Sequence, residues 1–143
     1  MKKKHLLLCV SVLLSVSCAS VDEDSNALPE RYLQLGLEPV DQVVNFEFQD
    51  FDHADAQSVI VRTRSREAYL LVLDKPGHHR NDDVYVEHRN LRPGFSRVCF
   101  AMMGISTPKR WAGNCLWRRL EVIYQLRDEE HEYEVVKFLR AND

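Results

Sequence analysis

Four side chains between residues 78 and 88 are of the types that bind transition metals. They are His78, His79, Asp82 and His88. Imidazole nitrogens and carboxylate oxygens are common donors for a metal such as zinc. A structural zinc site, however, needs about four converging donors, whereas adjacent side chains on an extended chain point apart. Because Arg80 would also repel a cation, the sequence favours a solvated loop and leaves metal or small-ligand binding as the alternative.

Two other groups of side chains share only their composition with metal sites. Asp50, Asp52 and Asp55 are spaced like the acids of a calcium loop, but the glycine and terminal glutamate of such a loop are absent. We interpret them as a polar turn. Cys99 and residues 102–103, both Met, carry the soft sulfur atoms that suit monovalent copper, yet methionine in an apolar strand usually fills the core. We therefore predict no metal or other cofactor.

The chain lacks the short motifs of common catalytic sites. It contains no Gly-x-Ser-x-Gly, no phosphate-binding glycine-rich loop and no His-Glu-x-x-His. The acidic pairs at residues 82–83 and 129–130 lie in polar segments, whose sequence predicts exposure to solvent. The sequence therefore predicts a non-enzymatic interaction or accessory module, with an unrecognised hydrolase site as a further alternative.

The first 17 residues have the pattern of a secretory signal peptide. Residues 2–4 are lysines, and residues 6–16 form an uncharged apolar run that is too short to span a bilayer, which takes about 20 residues. Residues 14–18, with the sequence LSVSC, resemble the lipobox of bacterial lipoproteins. The resemblance implies cleavage before Cys18, which becomes the N-terminus and carries a diacylglycerol on its thiol. Ordinary cleavage after Ala19, which would release a soluble protein, is the alternative.

The lipobox resemblance also implies a compartment and a domain organisation. In Gram-negative lipoproteins an Asp after the lipidated Cys commonly favours the inner membrane, whereas Ala19 follows Cys18 here. We therefore expect the periplasmic face of the cell envelope, at the outer rather than the inner membrane, with the membrane as a partner through the lipid. Residues 18–27 are interpreted as a polar, acidic tether, and residues 28–143 as one globular domain.

Two cysteines remain for this domain. Cys9 would leave with the signal peptide and Cys18 would carry the lipid, which leaves Cys99 and Cys115. A compartment outside the cytoplasm is oxidising, so we predict a disulfide between them. Two buried free thiols are the alternative.

Charge is unevenly distributed along the chain. Loss of the three signal-peptide lysines reduces the 19 basic residues to 16 against 22 acidic ones, a net charge of −6, which argues against nucleic-acid binding. Seven basic residues and no acidic ones lie between residues 89 and 119. Either the acidic and basic parts face each other in the fold, or the basic part binds an envelope protein or an anionic envelope polymer. The candidates for that surface are Lys109, Arg110, Trp111, Arg118 and Arg119.

Hydrophobic periodicity predicts a single small α+β domain dominated by an antiparallel sheet of about five to six strands. A short helix is expected near the N-terminus, at residues 29–35. Residues 128–139 are expected to form a C-terminal helix, with a strand as the alternative because Tyr133 and Val135 alternate with polar residues. The expected strands are residues 44–49, 58–63, 68–73, 84–88, 97–103 and 120–126, with a polar loop at 78–83 and a turn at 111–114.

The strands carry a second resemblance. Residues 46–73, with Arg62 and Thr63 ahead of residues 68–71, are similar to an uncharacterised family of small proteobacterial lipoproteins. Cys115 ahead of residues 120–124 resembles a late element of the same family. That family has no established activity, so the resemblance implies a compartment and a fold but no reaction.

Overall fold

A computed structural model describes residues 28–86, 89–102 and 115–143 of the chain. These residues form two helices and six strands, which make up one small domain of the predicted α+β class. In chain order the elements are α1 (Glu30–Leu33), β1 (Phe48–Asp55), β2 (Ser58–Thr63), β3 (Ala68–Leu73), β4 (Asp82–Val86), β5 (Arg97–Met102), β6 (Leu116–Leu126) and α2 (Glu129–Ala141). No helix among the described residues is long and apolar enough to cross a membrane.

The strands form one antiparallel sheet with the order β1-β2-β3-β6-β5-β4. β2 and β3 make the predicted hairpin, in which Ser58 pairs with Val72 and Arg62 with Ala68. β6 lies beside β3, with Tyr124 opposite Leu70. The late strand β6 therefore joins the two halves of the sheet.

The central strands are buried on both faces, which accounts for their nearly continuous apolar sequences. Successive residues of β3 belong to two different hydrophobic clusters. Leu71 and Leu73 belong to one cluster, and Leu70 and Val72 belong to the other. We call the face that bears Leu71 the inner face and the face that bears Leu70 the outer face.

The two helices cover the outer face. Tyr32 of α1 packs there with Val135 and Leu139 of α2. α2 begins as its sequence predicts, because the carboxylate of Asp128 accepts a hydrogen bond at 2.8 Å from the backbone N–H of His131. Such a cap typically stabilises a helix by about 1 kcal/mol. The prediction of a helix rather than a strand for this segment is confirmed.

The inner face is enclosed because the sheet curves. β1 and β4 are at opposite ends of the strand order, yet Nε2 of His53 in β1 lies 2.8 Å from the carbonyl oxygen of Asp82 in β4. The two edges of the sheet therefore meet at this point. Beyond the other end of β1, Val43 and Leu91 exchange two backbone hydrogen bonds of 2.9 Å. Together with Phe46, these two residues complete the inner cluster.

A disulfide joins Cys99 to Cys115, whose Cα atoms are 5.6 Å apart. Cys99 lies in β5, and Cys115 immediately precedes β6, the strand that pairs with β5. The predicted disulfide is therefore confirmed over the alternative of two free thiols.

β1 differs from the strand predicted at residues 44–49, because it begins at Phe48 and continues to Asp55. Asp50 and Asp52 form ion pairs with Arg62 of β2, at 2.9 and 3.2 Å. Our interpretation of these aspartates as a polar turn is therefore wrong. Cross-strand pairing with an arginine allows an acidic segment to form an edge strand.

Two other strands have shifted boundaries. β4 starts at Asp82 rather than at residue 84 and is described as far as Val86, while residues 87–88 of the predicted strand lie outside the described residues. β6 starts at Leu116 rather than at residue 120, because residues 116–119 pair with residues 97–100 of β5. The predicted turn at residues 111–114 lies outside the described residues.

Candidate functional site

Two buried histidines face each other where the edges of the sheet meet. Nδ1 of His53 and Nδ1 of His78 are 2.8 Å apart, and only 6% of each residue is exposed. His53 belongs to β1, whereas His78 lies in the loop before β4. The His78 ring stacks on Phe100 of β5, with the ring centroids 4.4 Å apart. The expectation that His78 is solvated is therefore wrong, because the loop turns this ring into the core.

An irregularity in β1 separates His53 from Asp55. Residues two apart in a regular strand share a face of the sheet. Here the register shifts between His53, which is opposite Val59, and Asp55, which is opposite Ser58. Such a bulge changes which side of the sheet the following residue faces. His53 therefore points to the inner face with Val59, while Asp55 points to the outer face with Ser58.

The carbonyl group next to His53 shows which ring nitrogens of the two histidines carry hydrogens. A carbonyl oxygen only accepts hydrogen bonds, so Nε2 of His53 donates to the Asp82 carbonyl at 2.8 Å. In a neutral ring, Nδ1 of His53 is then an acceptor, and Nδ1 of His78 donates to it. Nε2 of His78 is left with a lone pair. That atom is buried and has no hydrogen-bond partner in the described part of the chain.

The surroundings of His78 keep its ring neutral. Burial is the largest cause that lowers the pKa of His78, to about 4, and the neighbouring His53 acts in the same direction. The carboxylates of Asp55 and Asp82 and the backbone of Ser58 act in the opposite direction. At pH 7 the His78 ring is therefore neutral.

Asp55 is a buried carboxylate with a full set of donors. It accepts hydrogen bonds from the hydroxyl groups of Tyr32 and Ser58, both at 2.7 Å, and from Nε of Arg31 at 2.9 Å. Burial raises the pKa of Tyr32, and the Asp55 charge raises it further. The phenol therefore stays protonated and donates. Asp55 thus fixes α1 against the outer face of the sheet.

A pocket of about 190 Å³ opens beside the histidine pair. It is smaller than the roughly 300–1,000 Å³ typical of sites for drug-sized ligands, so only a small ligand or an ion fits it. His79 and Arg80 are exposed at its rim. The lining residues are His53, Ala54, Asp55, Ala56, His78, His79, Arg80 and Asp143.

The described candidates for metal binding, His78, His79 and Asp82, do not converge on one position. His78 is buried, whereas His79 is exposed and its backbone N–H donates to the carboxylate of Asp82 at 2.8 Å. His88 lies outside the described residues. Within residues 28–86, 89–102 and 115–143, no three His, Cys, Asp or Glu side chains are grouped to hold a metal ion.

His53 is the member of the pair that sequence reasoning missed. It is 25 residues from His78, and no motif links the two. The sequence signal that could have identified His53 was its position two residues after the apolar Phe51, because alternate residues of a strand share a face. In the structure, Phe51 pairs with Val61 and His53 pairs with Val59, and both valines lie on the inner face. The sulfur atom of Cys99 is part of the disulfide and is therefore not free to bind copper.

The predicted basic surface is described only in part. Arg118 and Arg119 are neighbours in β6, so they point to opposite faces of the sheet. Nη2 of Arg118 donates to the carbonyl of Pro76 at 3.1 Å, whereas the exposed Arg119 pairs with Glu121 at 2.9 Å. These two arginines therefore do not share one surface. The other candidates, Lys109, Arg110 and Trp111, lie outside the described residues.

A wider groove of about 470 Å³ separates the two sheet edges away from the histidines. Phe48 of β1, which is 37% exposed, and Tyr85 of β4 supply aromatic surface. Arg64 and Arg89 are exposed, and neither guanidinium forms an ion pair with another described residue. The groove is lined by Phe46, Glu47, Phe48, Arg64, Tyr85, Val86 and Arg89.

Comparison with known families gives a match to the first part of the chain. The model of a family of unknown function, DUF6491, matches residues 1–89, which is more than half of the 143 residues. The chain belongs to this family. The prediction of a family without an assigned function is thereby confirmed, while the lipid anchor stays a prediction. Searches of curated proteins and of solved structures find no match.

The DUF6491 match includes some of the features described above and leaves others outside it. It includes α1 and β1 to β4, and with them the histidine pair and the arginines of the groove. The disulfide lies beyond it, because Cys99 and Cys115 both follow residue 89. The histidine pair and the groove are therefore features of the matched region, whereas β5, β6 and α2 complete the domain outside it.

Proposed function

We propose that this DUF6491 protein is a lipid-anchored protein of the cell envelope that binds a partner and catalyses no reaction. The observation that carries the proposal is the disulfide between Cys99 and Cys115. Stable disulfides are typical of oxidising compartments outside the cytoplasm. The signal-peptide pattern of residues 1–17 supports the same compartment, and the lipobox resemblance at Cys18 supports the anchor.

The anchor places the domain at a membrane surface. Ala19 after Cys18 favours the outer membrane, with the domain on its periplasmic side. A flexible tether of about ten residues has a reach on the order of 17 Å. The tether of residues 18–27 therefore holds the domain close to the lipid head groups.

The groove is the described surface best suited to a partner. Within the part of the chain that the structure describes, the guanidinium groups of Arg64 and Arg89 form no ion pairs, and arginine forms paired hydrogen bonds with carboxylate and phosphate groups. Phe48 adds apolar contact area. The expected partner is an acidic envelope protein or an anionic envelope polymer. Lys109, Arg110 and Trp111 are a second candidate surface on the evidence of their sequence.

Cell fractionation tests the anchor. The parent chain should sediment with membranes, whereas Cys18→Ser should be soluble or remain unprocessed, because it has no thiol to receive lipid. Cys9→Ser, within the signal peptide, is the matched control and should behave as the parent chain does. Parent protein recovered free in the periplasm would contradict the proposal.

Cross-linking in intact cells tests the groove. Reversing both charges, in Arg64→Glu with Arg89→Glu, should abolish recovery of the partner, because the groove would then repel an anion. Arg127→Glu with Lys137→Glu is the matched control, since both residues are exposed and lie away from the groove. Circular dichroism of both variants checks the fold. Equal recovery of the partner from both variants would rule out the groove as the binding surface.

A second candidate function is the binding of a metal or small ligand in the periplasm. The sequence located this alternative between His78 and His88. The contact that favours it is the pairing of His78 with His53, because two imidazoles are held against each other beside a small pocket.

A further inference from the structure

An exposed phenylalanine lies in the tight turn that precedes β5. The backbone N–H of Phe95 donates to the Arg92 carbonyl at 3.1 Å, which closes a turn with Pro93 and Gly94 at its centre. The φ angle of Gly94 is 82°, as a type II turn requires at this position. Ser96 Oγ also accepts a hydrogen bond at 2.8 Å from the backbone N–H of Arg92. The turn therefore has a fixed conformation, yet 72% of Phe95 is exposed.

Two arginines of this region stack on aromatic rings. The guanidinium carbon of Arg92 lies 4.9 Å from the ring centroid of Phe95, and that of Arg97 lies 4.8 Å from the ring of Trp117. Both arginines are exposed. An arginine that stacks through its face can still bind phosphate through the N–H groups at its edge. We call these four residues the arginine–aromatic surface.

The register of the sheet places Arg97 and Trp117 on the outer face. Val98 belongs to the inner cluster, so its neighbour Arg97 points to the outer face. Arg97 is opposite Arg119 of β6. Trp117, two residues before Arg119 in the same strand, shares the face of Arg119. The two stacked groups therefore lie side by side on adjacent strands.

Backbone hydrogen bonds hold the turn beside β6. The N–H of Gly94 donates to the Leu120 carbonyl at 2.6 Å, and the N–H of Leu120 donates to the Ser96 carbonyl at 2.8 Å. Phe95 lies between the two residues of the turn that make these bonds. Its ring is therefore presented next to the strand that carries Trp117.

The helices α1 and α2 pack on the other half of the outer face. The cluster beneath them includes residues of β1, β2, β3 and β6, but no described residue of β4 or β5. Two acidic side chains, Asp74 and Glu121, contact the backbone N–H and the guanidinium of Arg119 at 3.1 and 2.9 Å. Arg92 forms no ion pair with a described residue. The arginine–aromatic surface thus combines positive charge with an exposed apolar ring.

The N-terminal tether also leaves the domain from the outer face. Leu28, the first described residue, packs against the outer cluster. Under the proposed function the ten preceding residues end in lipid at Cys18, and they have a reach on the order of 17 Å. The anionic groups nearest to the arginine–aromatic surface are then the phosphates of that membrane.

We propose that the arginine–aromatic surface rests on the phospholipid head groups of the membrane that holds the anchor. Arg92 and Arg97 bind lipid phosphates, and Phe95 enters the boundary between head groups and acyl chains. The choice of a membrane rests on the proposed anchor, but the binding itself needs no lipid on the protein. The surface lies beyond the residues of the DUF6491 match.

Binding to phospholipid vesicles tests this inference in a chain without an anchor. The protein is residues 18–143 with Cys18→Ser, which contains every described residue and lacks the apolar run of residues 6–16. The vesicles contain equal parts of phosphatidylglycerol and phosphatidylcholine. We expect binding at low salt that is lost at high salt, because salt screens the charges. Vesicles of phosphatidylcholine alone should bind much less.

A charge-neutralising variant tests the two arginines. Arg92→Gln with Arg97→Gln should weaken vesicle binding about 30-fold, because each basic residue near an anionic surface contributes roughly a fivefold factor. The matched control is Arg127→Gln with Lys137→Gln, which removes the same charge from exposed residues outside the surface. The control should bind nearly as the parent chain does.

A second pair of variants tests the exposed ring. Phe95→Ser should weaken vesicle binding about tenfold, because the apolar area that enters the membrane is lost. Tyr133→Ser is the matched control, since Tyr133 of α2 is 68% exposed and lies outside the surface. Circular dichroism checks the fold of all four variants, whose substituted residues are exposed.

Fluorescence quenching shows which part of the protein meets the lipid. Trp111→Phe leaves Trp117 as the single tryptophan of the chain. Lipids with brominated acyl chains should quench Trp117 in phosphatidylglycerol vesicles. Vesicle binding with this quenching supports the inference even if cell fractionation refutes the anchor.

Four results would overturn the inference. They are no binding of the parent chain to phosphatidylglycerol vesicles, equal binding to phosphatidylcholine alone, a variant that binds as its control does, and an unquenched Trp117. If Arg92→Gln with Arg97→Gln abolishes cross-linking to a protein partner and leaves vesicle binding intact, the surface binds that protein and the inference is also overturned.

Discussion

Among single residues, some buried polar atoms have several hydrogen-bond partners, whereas others have none among the described residues. Those of Asp55 have donors on every side, whereas Nε2 of His78 and Nε of Arg118 are buried without a partner in the described residues. Native proteins contain few buried polar groups without partners. Nη2 of Arg118 donates to Pro76, two residues before His78. This guanidinium thus helps to hold the loop that positions His78.

The Asp55 network should contribute strongly to stability. Asp55→Ala leaves Arg31, Tyr32 and Ser58 without their acceptor, and loss of one partner from a buried pair costs about 3 kcal/mol or more. Asp52→Ala is the control, because the Asp52 side chain is 62% exposed and its ion pair with Arg62 is worth less than about 1 kcal/mol. Chemical denaturation at pH 7 compares the two. Equal losses of unfolding free energy would contradict the account of Asp55.

His78 should make the protein less stable in acid. Its pKa falls from 6.5 to about 4 in the folded protein, so the unfolded chain binds more protons between these values. Stability from this group is present above pH 6.5 and is lost as the pH falls through this window. We expect a loss on the order of 2 kcal/mol, less than the full shift implies because solvent enters the adjoining pocket.

Unfolding free energies measured at several pH values check this dependence on acid. His78→Gln should flatten the pH dependence across the window, because glutamine does not titrate. His79→Gln changes an exposed neighbour and should keep the dependence of the parent chain. Parallel pH profiles for the parent and His78→Gln would show that another group is responsible.

Among the helices and strands, local sequence patterns predicted the strands that are buried on both faces of the sheet. The hairpin of β2 and β3 and the capped helix α2 follow from apolar runs and from Asp128. Local sequence patterns did not predict the residues at which β1 and β6 begin. Asp50 and Arg118 are polar residues whose strand conformation depends on a neighbouring strand, and that neighbour cannot be identified from the local sequence.

The disulfide should stabilise the pairing of β5 with β6. Closing a loop of about 16 residues contributes on the order of 3 kcal/mol, mainly by restricting the unfolded chain. The double variant Cys99→Ser with Cys115→Ser should therefore melt about 10 °C lower than the parent chain. Circular dichroism gives the melting temperatures. Reductant should lower that of the parent and leave that of the variant unchanged, and equal melting of both proteins without reductant would contradict the prediction.

At the scale of the whole molecule, the candidate site results from the curvature of the sheet. His53 and Asp82 belong to strands at opposite ends of the sheet order, and they meet because the two edges approach each other. The sequence pointed to His78 and Asp82 but not to their arrangement, because closure of the sheet is a tertiary property. The same curvature leaves the groove between Phe48 and Tyr85 at the other end. Both candidate binding features therefore depend on one property of the fold.

We propose above that the protein is a lipid-anchored, disulfide-bonded protein of the cell envelope. The intact mass of protein isolated from cells under thiol-blocking, non-reducing conditions tests both parts together. We expect a chain that begins at Cys18, carries the mass of a diacylglycerol and has no blocked thiol at Cys99 or Cys115. A chain without lipid that begins at Ser20, or one with both of those cysteines blocked, would contradict it.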